Sequence, residues 1–359
     1  MTSRISIIGA GPGGLTCARI LQKHGIPVTV YDRDPHPRAR DQGGTLDLHA
    51  DDGQLALREA GLLDEFLALA RPEGQEMRKL DLAGQILVHH IPAEDELFKP
   101  EIDRGRLRGL LLDSLEPGTV QWGRTLAKAD DSGRLHFTDG TTVETDLVIG
   151  ADGAWSRVRP AVSAAVPYYA GITFLEAWFD DVENAHPDLA ALVGQGSATA
   201  ADGDRCLFAQ RNSGDHIRVY LIQRLPADWI GAGDTADVRA RLLDAFSAWS
   251  PLMLRMITDN DGPYVDRPLY VLPVPHTWEH SPHVTLLGDA AHLMPPLGVG
   301  VNLAMLDASE LALALAGSTT IAEGVAAYEG TMLPRSTDIA KQLENGTEGL
   351  LDPEFSPAG

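Results

Sequence analysis

The chain has 359 residues, 44% of them hydrophobic and 22% charged, and carries a formal net charge of −22. That length and composition allow one large or two ordinary domains with a buried core, and they exclude a disordered chain. A surface this negative repels phosphate backbones, so nucleic acid is excluded as a partner and anionic ligands must be held by local arginines and helix N-termini.

Residues 1–4 lead straight into an apolar strand at 5–8, with no signal peptide. No uninterrupted apolar run reaches the roughly 18 residues of a membrane span. A cytoplasmic protein is expected, and both a monomer and a homodimer stay open. The two cysteines, Cys17 and Cys206, make neither a disulfide framework nor a zinc set. The sequon Asn345-Gly346-Thr347 has no meaning without secretion.

The first strand runs into Gly9-Ala10-Gly11-Pro12-Gly13-Gly14, then an amphipathic segment over 15–24, then a second strand over 27–31 that ends at Asp32. This is the dinucleotide fingerprint: Gly9 for the tight turn, Gly11 for close approach of a pyrophosphate, Gly14 for helix–strand packing, and Asp32 for the ribose hydroxyls. The next stretch carries Arg33, Arg38 and Arg40, a local positive patch in an acidic chain, followed by Gly43-Gly44. Arg33 and Arg40 are candidate phosphate contacts; a solvated loop is the alternative.

Residues 55–70 have helical periodicity, and 76–90 read as a hairpin turning at Ala83-Gly84. His89-His90 would face opposite ways on a strand, so a shared ion is not expected. A helix opens near Ile102 and runs to about Leu115, with Arg104 and Arg108 four apart on one face, able to hold a phosphate or a ribityl chain. Short strands over 120–136 and 141–144 flank a turn at Asp139-Gly140. A buried strand then ends in Gly150-Ala151-Asp152-Gly153, followed by Ser156 and Arg159. From about Ser163 the texture becomes β-rich, with a helix over 239–249, and reads as a second, substrate-facing layer.

His276, His280 and His283 lie in a proline-bracketed run that reads as a connecting loop and not a metal site. An apolar strand at 284–287 ends at Gly288-Asp289, where open α/β sheets bind ligands. Pro295 and Pro296 stiffen the following segment; Gly298 and Gly300 leave backbone bare ahead of an apolar-periodic helix. That helix N-terminus would stabilise a ring that becomes anionic on reduction, a description that suits a flavin. Two further helices are expected over 321–332 and 336–348, separated by Pro334, with a loose tail from 353.

Three motifs in order, Gly9-x-Gly11-x-x-Gly14, Asp152-Gly153-x-x-Ser156-x-x-Arg159 and Gly288-Asp289, resemble the single-component FAD-dependent aromatic hydroxylases, the para-hydroxybenzoate hydroxylase-like family. Within it the likeness is closest to the tetracycline-inactivating monooxygenases, through Gly43-Gly44-Thr45-Leu46-Asp47-Leu48-His49, Arg104 with Arg108, and the run from Gly288 to Pro296. The resemblance implies an α/β fold of the GR2 flavoprotein hydroxylase type: a Rossmann-like FAD-binding part (1–72, 100–162, 267–317), an inserted β-sheet substrate part (73–99, 163–266) and a C-terminal helical segment (318–359).

It further implies FAD as resident cofactor, NADPH or NADH as reductant and O2 as co-substrate. A flavin C4a-hydroperoxide would hydroxylate an aromatic or polycyclic small molecule; epoxidation and Baeyer–Villiger insertion use the same adduct. The cofactor-binding set it implies is Asp32, Asp47, Arg104, Asp289, Pro296, Gly298, Gly300 and Asn302 on FAD, Arg40 on the nicotinamide cofactor, and Asp152, Gly153 and Arg159 on both. Two departures stand out. The run from Pro295 to Asn302 is one residue shorter than the family's Pro-Pro-x-x-Gly-x-Gly-x-Asn. Glu176 and Arg218 fall where the tetracycline enzymes carry a glutamine and a histidine that contact substrate. His49 and Glu176 are the candidate acid–base residues. The rivals are a flavin-free NAD(P)-dependent dehydrogenase, which lacks the second and third motifs, a flavin halogenase, whose Trp-x-Trp-x-Ile-Pro segment is missing, and a flavin-binding sensor without turnover.

Overall fold

The computed structural model describes residues 4–40, 42–93, 95–229, 234–260, 262–343 and 349–352. The sequon, the far end of the helix expected over 336–348 and the tail from 353 lie outside them. A five-stranded parallel sheet, in the order Val284–Leu286, Leu147–Gly150, Ile5–Ile8, Val28–Tyr31, Val120–Gln121, forms one half of the molecule. Its central strands are wholly buried, as parallel strands covered on both faces must be. Pro12–Lys23, Gly300–Gly317 and Ile321–Gln342 are the principal helices packed with it, and Ile7, Leu15, Ile20, Leu147, Leu311 and Tyr328 fill the space between. Because the strands are parallel, Gly9, Asp32, Ala151 and Leu287 all leave the sheet at the same edge. That edge is where the three glycine-and-aspartate motifs meet.

The second half is a seven-stranded sheet, ordered Val265–Val271, Tyr168–Phe179, His216–Arg224, Arg205–Asn212, Ser197–Ala201, Met77–Leu80, Ile86–His90. The early hairpin therefore joins the later strands through the parallel pair Ser197–Ala201 with Met77–Leu80. The edge strand Val265–Val271 carries this sheet past residue 266, where the sequence places a boundary. One face is packed by the helices Pro187–Val193, Thr235–Ala245 and Pro251–Thr258 over Phe179, Leu221, Leu242 and Met256. Side chains alternate along strands, so Phe174, Glu176, Phe208, Arg218 and Tyr220 share the opposite face. A two-stranded ribbon, Thr45–Asp47 with Glu101–Asp103, lies between the halves.

Three elements differ from expectation. The periodic segment 55–70 is two helices, Gly53–Ala60 and Leu63–Leu69, because Gly61 ends the first in the left-handed region at φ 71°. Pro334 does not divide the last helix: Ile321–Gln342 runs through it. The carbonyl four residues back belongs to Gly330, which is exposed and open to water, and a capping box between Thr320 and Glu323 secures the start. The helix Gly300–Gly317 is long and apolar enough to cross a membrane by length and composition alone, yet half of it is buried inside the fold against Pro12–Lys23 and Ile321–Gln342.

Candidate functional site

The first helix starts at Pro12 from Gly11, and no side chain caps it, so its leading N–H groups face the cleft unclaimed by any cap. Gly9 sits at φ +110°, and a methyl group there would lie 2.3 Å from Ala151 O; one at Gly14 would lie 2.1 Å from Gly9 O. The first two motifs therefore touch backbone to backbone through glycine alone. Around Gly11 and Gly300, by contrast, nothing lies within 4 Å of where a side chain would begin. These are open backbone cradles, shaped for a ligand to come close.

Asp32 accepts from Ala10 N at 2.7 Å and from Asp34 N at 2.8 Å, so it braces the glycine turn while keeping lone pairs toward the cleft. Asp289 keeps an accessible surface, and among the described residues its carboxylate makes no hydrogen bond; the surrounding protein raises it from its ordinary value by desolvation, which the charges of His292, Arg104 and Arg159 only partly oppose. It is placed to accept from a ligand's hydroxyl groups. Arg33 points to solvent, and Arg40, more than half exposed, pairs with Asp34 at 3.1 Å.

Several residues expected to touch the cofactor hold neighbouring segments of the chain together. Arg108 does not share an exposed face with Arg104. It is 3% exposed and donates to Ala10 O at 2.9 Å and Pro37 O at 2.7 Å, with Asp34 at 3.5 Å. The glycine turn needs these donors, and burial leaves them no access to a phosphate. Arg159 donates to Ala290 O, Ala154 O and Asp289 O at 2.8–3.0 Å, so it ties the second motif to the third. Asp152 accepts from Ser156 Oγ and Arg157 N, and Ser156 Oγ in turn accepts from Val158 N and Arg159 N. Gly153 takes the positive φ, +79°, that this turn requires. Asn302 is fully buried: its Oδ1 accepts from His49 N and Gly53 N, and its Nδ2 donates to Asp47 O and Gly298 O. Its amide has no capacity left for a ligand, and it clasps the ribbon to the Gly298–Gly300 loop. Gly298 takes φ +88°, and Pro296 is exposed beside it.

Asp47 carries an oxygen toward Gly298 and another contact to His49 Nε2 at 3.1 Å; Asp52 lies 3.8 Å from His49 Nδ1. Bonded to Asp47 and Asp52 and flanked by their charges, His49 is pushed up from 6.5 to about 9. It is a cation at neutral pH, able to donate a proton but not to accept one. An NMR titration of His49 is expected to show its midpoint near pH 9, and a midpoint near 6.5 would contradict this geometry. Because the folded value is raised, its contribution to stability is full below pH 6.5 and is lost as pH rises through about 9.

Glu176 is 5% exposed and paired with both Arg218 and Arg267, the latter at 3.2 Å. The pair expected at the substrate face is thus part of a salt-bridged cluster of one carboxylate and two guanidiniums, beside Tyr220. A methyl group at Gly44 would lie 3.2 Å from the Tyr220 hydroxyl and from Arg218 Cδ, which brings this face against the Gly43-Gly44 turn. The aromatic wall, Tyr220 with Phe208 at 6.3 Å and Phe174 at 6.3 Å, carried no signal beyond strand alternation. Glu101 was likewise not foreseen: burial and the neighbouring Asp47 raise it to about 8, while the Thr45 hydroxyl donates to it at 2.6 Å. The histidines of the proline-bracketed loop serve packing, His276 against Ala291 O and Ser163 Oγ and His280 against Glu329. Among the described residues no group of three or more His, Cys, Asp or Glu is placed to hold a metal ion.

A family described as "FAD binding domain" matches residues 2–248 and 274–342. The chain is 31% identical to the monooxygenase penA of Penicillium thymicola, over 94% of this chain and 93% of that one. It is 30% identical to the 3-amino-4-hydroxybenzoate 2-monooxygenase of Streptomyces cremeus, over 96% and 87%. Among solved structures, Klebsiella pneumoniae HpxO complexed with FAD and uric acid superposes with a TM-score of 0.81 at 23% identity, covering 99% of this chain and 90% of that one. The tetracycline destructase Tet(51) superposes at 0.72 with 20% identity, covering 99% and 92%.

Proposed function

The chain belongs to the FAD binding domain family of flavin-dependent monooxygenases, and we propose that it uses a reduced nicotinamide cofactor and O2 to hydroxylate an aromatic or polycyclic small molecule. The observation that carries this reading is the closeness of an aromatic, charge-lined sheet face to the glycine-and-aspartate edge: Gly44 lies against Tyr220 and Arg218, and Arg104 acts through its charge on both Tyr220 and Asp289. The residues present fit FAD. The uncapped helix N-terminus at Gly11 suits its pyrophosphate, Asp32 its adenosine ribose, and the unpartnered Asp289 carboxylate its ribityl hydroxyls. The bare backbone at Gly300 and the helix it begins suit the ring system. When bound, the flavin supplies the redox chemistry and the activation of oxygen.

The chain's own groups position and shelter the substrate. Tyr220, Phe208 and Phe174 offer ring faces to a planar molecule. Arg218 and Arg267, which share the one Glu176 carboxylate, can donate charge-assisted hydrogen bonds to its polar edge. The His49 cation offsets the charge of the Asp47 carboxylate, which faces the Gly298 loop. Exposed Arg33 and Arg40 support a nicotinamide cofactor docking from outside this edge. The aromatic substrate in the name of the Streptomyces cremeus enzyme supports a ring as the substrate class.

The test is NADPH and NADH oxidation by the FAD-loaded protein with a panel of phenols, polyketides and tetracyclines under labelled O2. A substrate that stimulates both cofactor oxidation and oxygen uptake, and gains one labelled oxygen atom, is the expected result. Cofactor oxidation across the whole panel without an oxygenated product would overturn the reading.

A further inference from the structure

The chain's last described residues, 349–352, come back onto the face of the seven-stranded sheet that looks into the cleft. Leu351 is 1% exposed and shares one buried cluster with Ile172, Cys206 and Ile222. Leu350 is buried beside it, and Gly203 N donates to Leu351 O at 3.1 Å, which fixes the backbone to the hairpin of that sheet. Phe174, Phe208 and Tyr220 pack against the same cluster. The far side of Tyr220 meets Gly44 and its neighbour Arg218, and so the cleft. The aromatic wall of the substrate chamber is therefore backed by a side chain from the other end of the sequence.

We propose that Leu351 is a specificity-determining residue: the C-terminal segment plugs one end of the substrate chamber and sets the size of the ring system it accepts. This rests on the hydroxylase reading above. The chemistry recognised at this end is an apolar ring edge, because Leu351, Ile172 and Ile222 offer no hydrogen bond, while the polar edge of the same molecule turns toward Arg218 and Arg267. In such an apolar site, adding or removing the volume of a few methylene groups changes discrimination by about one to two orders of magnitude. Leu351→Ala opens space behind the aromatic wall for a larger ring, and Leu351→Trp closes it.

Two readouts on the FAD-loaded full chain test this. The first uses the two cysteines. Cys206 shares the buried cluster of Leu351, 4% exposed, and burial pushes its thiol up to about 11, whereas Cys17 is sealed in the core of the other half. Iodoacetamide labelling read by mass spectrometry should rise at Cys206 at least about tenfold in Leu351→Ala and stay unchanged at Cys17. The second is binding of 2-naphthol and 1-hydroxyanthraquinone, followed by the change in flavin absorption. The ratio of their dissociation constants should shift at least about fivefold toward the three-ring probe in Leu351→Ala and toward the two-ring probe in Leu351→Trp. Unchanged labelling of Cys206 would mean that Leu351 covers nothing. Faster labelling with an unmoved ring preference would leave only a packing role and would equally overturn the proposal, as would binding of neither probe to any of the three proteins. Failure of the hydroxylase reading would show separately, as wild-type protein that binds both probes and yields no oxygenated product.

Discussion

Gly9→Ala is expected to purify with less than about a tenth of the wild-type FAD, because two costs fall on one position that also borders the cofactor. The residue stands at φ +110°, where an L side chain is strained, and its new methyl group would lie 2.3 Å from Ala151 O and 2.7 Å from the Ala151 carbonyl carbon. The strain is worth about 1–3 kcal/mol and the overpacking about as much again. The chain cannot relieve the contact cheaply. Gly9 N is bonded to Tyr31 O, Ala151 N to Ile8 O, and Gly9 O is packed by Gly14, so any retreat opens the sheet edge. Flavin released by denaturation and quantified against protein measures the loss, with thermal unfolding as the second readout. Gly153→Ala is the comparison, since it also needs a positive φ but has open space around it. It should lose stability by about 1 kcal/mol while keeping most of its FAD.

Asp307→Leu is expected to destabilise the protein by about 3–5 kcal/mol although Asp307 lies behind the cleft and touches no ligand. Asp307 is 1% exposed and serves three partners: Gly288 N at 2.9 Å, His292 Nε2 at 2.5 Å and Arg335 at 2.7 Å. Arg335 also pairs with Glu310. The network holds the third motif at both ends and fastens it to the last helix. Leucine would leave the buried His292 without its carboxylate and Gly288 N without its acceptor, while Arg335, 21% exposed, would keep only Glu310. The double variant H292L/D307L should be less destabilised than the sum of the two singles by about 1–3 kcal/mol, measured in denaturant; strict additivity would show that the pair is not coupled.

Burial opposes charge on both groups of this pair, but each overcomes it for the other. His292 is raised from its ordinary value by Asp307, and Asp307 is lowered by His292, Gly288 N–H and Arg335. The pair's contribution is therefore full between pH 3.8 and 6.5. It falls away as acid reaches the lowered Asp307 value, and again as pH rises through the raised His292 value.

The three strand ends were legible because each is punctuated. An apolar run stops at glycine and aspartate, and parallel strands deliver such stops to one edge. The family likeness followed from their order. What the sequence concealed is the direction each polar side chain takes once the edge is built. Arg108 reads as a phosphate ligand because a helix face with two arginines looks unsatisfied; its partners, the carbonyls of Ala10 and Pro37, are backbone atoms that no residue pattern displays. Asn302 and Arg159 follow the same rule: motif residues that pin loops to one another and leave the ligand to bare backbone. The His292–Asp307–Arg335 network joins residues 15 and 28 apart on three helices whose packing sets the match. Glu329, buried with Trp278, His280 and Thr285 as its donors, looks like an ordinary surface acid in an acidic chain. Leu351 was invisible because its partners are on strands far earlier in the chain.

The shortened loop after Pro296 is the one departure with a structural counterpart. Gly298 takes a positive φ, +88°, and Asn302 donates to its carbonyl, which ties the loop to the helix that follows. The site therefore retains a fixed floor where the ring would lie.

We propose that the shared edge of the parallel sheet holds one FAD per chain. Release of flavin from the purified wild-type protein by denaturation, with chromatographic identification and quantification, tests it most directly. We predict a yellow protein carrying FAD at close to one per chain, or taking it up to that ratio when FAD is added. A colourless protein that fails to retain added FAD would contradict the account.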